Sequence, residues 1–213
     1  MNLPATPPAS YVGILLAGGR GTRFDPTGRQ DKLRRLLSDG DSISVTSAKS
    51  LLAVLSRVIA VVRPDADALA DELRSVGCEV SMAADARLGM AHSLTHALGR
   101  SSDAHGWIVA LADMPWVKSS TIATLAKALD DGATIAAPVF EGRRGNPVGF
   151  SPAHLAELMA LRGDAGARHL LLQYPVKEIK VDDPGILRDV DTSFDLPITP
   201  LPPSSPPPTY LHE

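Results

Sequence analysis

The chain reads as an α/β protein, three layers built around a mainly parallel, mixed sheet, and three observations predict this. Short apolar runs alternate with helical text from residue 11 onward. The segments that separate them have the length of a helix of about 10–15 residues, as crossovers between parallel strands require. The first apolar run ends in glycines, which is how such a sheet opens toward a ligand at the carboxyl ends of its strands.

Each element follows from its own text. Tyr11 to Ala17 is a buried strand, and Arg57 to Val62 is a second, rich in β-branched residues and closed by Pro64. Cys78 to Ala83 is a weaker third, Trp107 to Leu111 a fourth and Ala133 to Val139 a fifth. Helices are expected at Val45 to Leu55, at Asp65 to Val76 with Asp65 as cap and Gly77 as stop, at Met90 to Leu98, and at Ser119 to Leu129. Beyond the fifth strand the rhythm changes. Glu141 to Asn146 reads as a polar turn and Pro147 to Phe150 as a returning strand. Short helices at Pro152 to Leu161 and Ala165 to Tyr174 lead to a strand-like Val176 to Val181.

Proline density marks both ends. Residues 1–10 are expected to be a flexible arm, 11–196 one domain, and 197–213 a proline-rich tail, extended or disordered. The composition is that of an ordinary globular protein, with 44% hydrophobic and 21% charged residues. A formal net charge of −3 offers no general attraction to nucleic acid or an anionic membrane, so any phosphate site must be local. Cys78 is the single cysteine, which excludes an intrachain disulfide and suits a reducing compartment. With no secretory signal pattern and no apolar stretch of about 20 residues, the expected location is cytoplasmic.

The strongest local signal is Leu16-Ala17-Gly18-Gly19-Arg20-Gly21-Thr22-Arg23, followed by Asp31-Lys32-Leu33. Glycines after a first strand let the backbone bend and bring N–H groups close to an anion, while Arg23 and Lys32 supply positive charge. A glycine-rich turn beside two solvated cations explains the same text. A dinucleotide fingerprint would need glycine at Phe24, and a P-loop would need Gly-Lys-Ser/Thr; neither is present. The second signal is Leu111-Ala112-Asp113-Met114-Pro115, at the end of the fourth strand. A carboxylate placed there is a hard ligand for Mg²⁺, although it also suits a turn cap.

These two motifs resemble the signatures of the molybdenum cofactor nucleotidyltransferases and their sugar-nucleotide relatives, the MobA-like NTP transferases. The resemblance spans roughly residues 11 to 196 and implies a Rossmann-like nucleotidyltransferase domain. It implies that Leu16, Ala17, Gly18 and Gly19 contact nucleotide phosphates through their backbone. Arg23 and Lys32 would act on those phosphates, and Asp113 would hold the metal. Asp85, Gly89 and Ser93 would lie beside base or ribose. Three later stretches, Gly142 to Phe150, Gly163 to Arg168 and Asp183 to Thr192, resemble the cytidylyltransferase branch more than the guanylyltransferase branch. In them Arg144, Asn146 and Arg168 are candidates for an anionic acceptor, and Asp191 for a second metal carboxylate.

The expected activity is therefore transfer of CMP from CTP to a molybdopterin-type acceptor, with Mg²⁺ as cofactor and pyrophosphate as product. A recipient molybdoenzyme or its chaperone would be the protein partner; no nucleic acid and no membrane are expected. Gly18 matches the guanylyl enzymes, so GTP remains an alternative, as do sugar 1-phosphates as acceptors and a non-catalytic molybdopterin-binding chaperone. His92 and His96 share a helix face but lack the His-Glu-x-x-His text of a zinc hydrolase.

Overall fold

The computed structural model describes residues 11–19, 21, 24–25, 30–84, 89–163 and 167–196. Eight strands form one sheet: β1 (Val12–Ala17), β2 (Arg57–Val62), β3 (Glu79–Met82), β4 (Trp107–Leu111), β5 (Ile135–Phe140), β6 (Arg143–Arg144), β7 (Val148–Phe150) and β8 (Lys177–Lys180). Their order is β3-β2-β1-β4-β7-β5-β6, with β8 also paired to β5. The pairs β1–β2, β1–β4, β2–β3 and β5–β8 are parallel. Strand β7 runs antiparallel to both β4 and β5, which makes the sheet mixed.

Helices cover both faces. They are α1 (Ile43–Leu52), α2 (Asp67–Ser75), α3 (Met90–Gly99), α4 (Ser119–Asp130), and the short α5 (Leu155–Met159) and α6 (Leu170–Gln173). Alternation along β1 shows why three layers form. Leu15 and Ala17 join the core cluster that includes Leu51, Leu69 and Leu125 of α1, α2 and α4. Ile14 and Leu16 join the opposite cluster, with Leu94 and Leu98 of α3 and Leu158 of α5. Successive side chains of a strand point to opposite faces, so one apolar run stocks both cores. The expected α/β class and mainly parallel mixed sheet are what the chain adopts.

The differences from the sequence reading are local. Helix α1 starts earlier than expected because Ser42 caps it, accepting from the Val45 N–H. Asp65 is not a helix cap: α2 begins after Ala66 without a side-chain cap, and the Asp65 carboxylate pairs with Arg63 instead. The expected polar turn from Glu141 to Asn146 contains a short strand, since Arg144 pairs with Val139 and Arg143 with Phe140. Pro152 to Leu161 divides into a 3-10 turn at Pro152–His154 and the one-turn α5. The arm at 1–10 and the tail at 197–213 lie outside the described residues.

Candidate active site

The chain leaves β1 toward β2 on one side, while β4 flanks β1 on the other, so the carboxyl ends of β1 and β4 form a topological switch point. The Ala112 N–H donates to the Leu16 carbonyl at 3.1 Å, carrying the pairing one residue past β4. Asp113 therefore leaves the sheet beside the glycines that follow β1. From α1, the buried Ser47 hydroxyl donates to the Ala112 carbonyl at 3.0 Å and steadies this exit.

Lys32 reaches the same point from a different direction. It opens a 3-10 turn, Lys32–Arg34, capped by Asp31, which accepts from the Leu33 N–H at 3.0 Å. The residue is only 8% exposed, so its ammonium needs a partner. Among the described residues it has two: Asp113 Oδ2 at 2.7 Å and Asp191 Oδ1 at 3.8 Å. Gly21 makes room for the lysine stem. Its φ is +60°, which favours glycine, and a Cβ there would lie 3.0 Å from the Lys32 Cβ, so a larger residue would be strained and would push on the lysine stem.

A third segment closes the site. Asp183 is 1% exposed and accepts from the Lys118 N–H at 2.9 Å, the Thr121 hydroxyl at 2.6 Å and the Gly185 N–H at 3.0 Å. It thereby anchors the 3-10 turn Pro184–Leu187 to the start of α4. Arg188 then stacks on Trp116, 4.2 Å from the ring centroid, and the buried Val190 donates its N–H to the Asp113 carbonyl at 2.9 Å. Carboxylate oxygens of Asp113, Asp189 and Asp191 come within 4.8 Å of one another. Hard oxygen donors in this number fit Mg²⁺ or Mn²⁺, which complete their shells with water and phosphate oxygens.

A cleft of about 580 Å³ is lined by Leu16 of β1 and Leu111 of β4, close in sequence to the glycines and to Asp113. Its floor is apolar, with Leu16, Leu94, Val109 and Phe150 among the lining residues, and Arg144, Asn146 and Arg168 line it as well. The predicted acceptor residues are thus brought together, although Arg144 already pairs with Glu178, its Nε 2.5 Å from Oε1. Ala17 is fully buried, so only its backbone can serve the loop. Gly18 and Gly19 follow at the mouth of β1, and a Cβ on Gly19 would meet nothing within 4 Å. Gly89 has a φ of 122° and starts α3, a conformation that favours glycine. Ser93 is only 3% exposed; Met90 and Leu94 are the residues of α3 that line the cleft. Arg23 and Asp85 lie outside the described residues.

Residues 13–178 match the model of the MobA-like NTP transferase domain. The chain belongs to that family. This MobA-like NTP transferase is 32% identical over 172 residues to bifunctional protein GlmU of Bradyrhizobium diazoefficiens, across 74% of this chain and 35% of GlmU. It thus spans about a third of that relative's length. Among solved structures it resembles Rv0371c of Mycobacterium tuberculosis H37Rv, with a TM-score of 0.73 and 28% identity over 88% of this chain and 95% of that one. The complex of Rv0371c with manganese superposes with a TM-score of 0.70 at 27% identity, over 87% and 95% of the two chains. Molybdopterin-guanine dinucleotide biosynthesis protein A of Archaeoglobus fulgidus shares the fold, with a TM-score of 0.64 at 18% identity over 86% and 94%.

Asp189 is a candidate metal ligand that sequence reasoning missed. The signal was present: in Asp189-Val190-Asp191 a buried apolar residue is flanked by two carboxylates. When the middle residue of an extended segment points inward, its neighbours both point out. No helix among the described residues is long and apolar enough to cross a membrane.

Proposed function

We propose that this MobA-like NTP transferase moves CMP from CTP onto a molybdopterin-type molybdenum cofactor, releasing pyrophosphate in a Mg²⁺-dependent reaction. The observation that carries the reading is the meeting of Lys32 with Asp113 and Asp191 just past the ends of β1 and β4, two strands whose Leu16 and Leu111 line an apolar cleft that Arg144 and Arg168 line as well. A charged end and an apolar end in one site suit a substrate with a phosphate at one end and a flat ring system behind it. The likeness in fold to molybdopterin-guanine dinucleotide biosynthesis protein A, and the later motifs that resemble the cytidylyl branch, support the choice of acceptor and nucleotide.

The residues have separable tasks. Asp113, Asp189 and Asp191 would hold Mg²⁺, which supplies positive charge to the phosphates of the nucleotide when bound. The backbone from Leu16 to Gly19, with Arg23 and Lys32, holds those phosphates and orients the α-phosphorus. Arg144, Asn146 and Arg168 place the acceptor's phosphate in line with it. A phosphate acceptor is already anionic near neutral pH, so the site needs charge and positioning rather than a general base. An acceptor oxygen bonds to the α-phosphorus as the bond to pyrophosphate breaks. No proton has to be taken up by a side chain.

The test pairs binding with turnover. Thermal shifts are measured with CTP, GTP, ATP and UTP, with and without Mg²⁺, and pyrophosphate release is then followed with molybdopterin and with sugar 1-phosphates. The reading requires a Mg²⁺-dependent shift with CTP and pyrophosphate release with molybdopterin. GTP is the second candidate, because Gly18 and Gly19 reproduce the Leu-Ala-Gly-Gly text of guanylyl enzymes. Selective response to GTP would replace the cytidylyl assignment. Molybdopterin binding without pyrophosphate release from any nucleotide would instead favour a carrier that delivers the cofactor to a molybdoenzyme.

A further inference from the structure

Arg63 leaves the sheet one residue after β2, where Val62 pairs with Ala17, so it emerges alongside the glycine loop. Its side chain is only 14% exposed. One terminal nitrogen, Nη1, donates to the Gly19 carbonyl at 2.8 Å. The other, Nη2, donates to Asp31 Oδ2 at 2.9 Å, and Nε lies 3.3 Å from Asp65 Oδ1. Asp31 uses its remaining oxygen, Oδ1, to cap the turn that carries Lys32. A single planar fork therefore bridges the loop after β1 and the turn that presents Lys32. Along the chain the two segments are separated by residues 20–30, which include Gly21 and Gly28.

We infer that Arg63 is a positioning residue for phosphate transfer: it sets the distance between the glycine loop and Lys32. The inference rests on the reading of that loop and Lys32 as the phosphate-holding side of the site. The guanidinium of Arg63 is held on the Gly19 carbonyl and the Asp31 carboxylate, and through these two contacts it acts on the loop and on Lys32. Lysine cannot replace it, because one ammonium on a flexible stem lacks the rigid geometry that holds both acceptors at fixed separation.

The test uses the full chain with Mg²⁺ and inorganic tripolyphosphate as the probe, whose affinity is measured by calorimetry. The proteins are wild type, Lys32→Ala, Arg63→Ala, Arg63→Lys and the double variant Arg63→Ala/Lys32→Ala. Loss of one charge-assisted contact corresponds to a weakening of about tenfold or more for Lys32→Ala. Arg63→Ala is expected to weaken binding about tenfold as well, and Arg63→Lys to recover less than half of that loss on a logarithmic scale. The deciding result is non-additivity: the double variant binds within about twofold of Lys32→Ala alone. Additive losses would overturn the proposal, because they would mean that Arg63 contributes independently of Lys32. Normal binding by Arg63→Ala beside weakened Lys32→Ala would overturn it while leaving the phosphate reading intact. If wild type fails to bind, or Lys32→Ala binds normally, the phosphate reading falls and the proposal falls with it. Should Arg63→Ala fail to fold, Arg63→Lys and its double variant with Lys32→Ala carry the same comparison.

Discussion

The N–H of Val190 donates to the carbonyl of Asp113 at 2.9 Å, although the two residues are far apart in sequence. This bond joins the exit of β4 to the segment that carries Asp189 and Asp191. Val190 is fully buried, so its flanking carboxylates, Asp189 and Asp191, are held facing Asp113. Lys32 sits against Asp113 and Asp191 and offsets part of the repulsion among the three carboxylates.

The first prediction concerns those carboxylates. Asp113→Ala should lower turnover by about 10²–10³-fold, the loss typical when an electrostatic group is removed from a transition state. Its fold should be retained, as read by circular dichroism, with some loss of stability because Lys32 keeps only its longer contact to Asp191. Asp189→Asn should weaken Mn²⁺ binding about tenfold or more, measured by electron paramagnetic resonance of the free ion. Unchanged Mn²⁺ affinity in Asp189→Asn would remove that residue from the metal set.

The second prediction separates architecture from chemistry. Asp183 serves three donors while nearly sealed from solvent. Asp183→Ala should destabilise the protein by about 3 kcal/mol, since it strands buried donors, two of them backbone N–H groups. Gly185→Ala should act on the same segment, because a Cβ there would run into the Trp116 carbonyl. Both variants are checked by urea denaturation. A loss below about 0.5 kcal/mol for Asp183→Ala would mean that solvent replaces its bonds freely.

The third prediction is a reactivity. Burial pushes the Cys78 thiol up to about 11, and the residue is 6% exposed. At neutral pH the thiolate fraction is then about one part in ten thousand. Iodoacetamide should leave Cys78 unmodified in the native protein and label it fully in denaturant, as read by intact mass. Rapid labelling of the native chain would contradict the burial of the α2–β3 junction.

Much of this frame was legible in the sequence, and what was hidden at β6 and at Arg63 has one cause. The run from Val12 to Ala17 announced a strand because it is uniformly apolar and breaks at glycine, and Asp113 stood out because it ends another such run. Both signals are local. Strand β6 was hidden because Arg143 and Arg144 sit between glycines and look like a turn; only pairing with Val139 and Phe140 makes them a strand. Arg63 was invisible for the same reason, since its acceptors at Gly19 and Asp31 lie 44 and 32 residues away in the chain. Hydrogen bonds between distant segments leave no period in the text.

The last prediction follows the turn that ends the site. Asp195 Oδ2 accepts from the Thr192 N–H at 2.6 Å, the Thr192 hydroxyl at 2.9 Å and the Asp191 N–H at 3.0 Å. The backbone bond from Thr192 is the largest of the causes that hold this carboxyl below its ordinary value of 3.8, and the charge of Lys32 adds to it. A carboxyl whose pKa is lowered by folding contributes stability that is present above the ordinary value. That stability disappears as pH falls through the lower, folded value. The turn at residues 191–195 should therefore stay closed at neutral pH and loosen only in acid below 3.8. Amide chemical shifts of Asp191 and Thr192, followed by NMR against pH, should titrate together in that acid range. In Asp195→Asn the shared titration should vanish. A midpoint at or above 3.8 in the wild-type protein would show that these bonds do not favour the ionised carboxylate. The turn would then hold Asp191 by chain geometry alone.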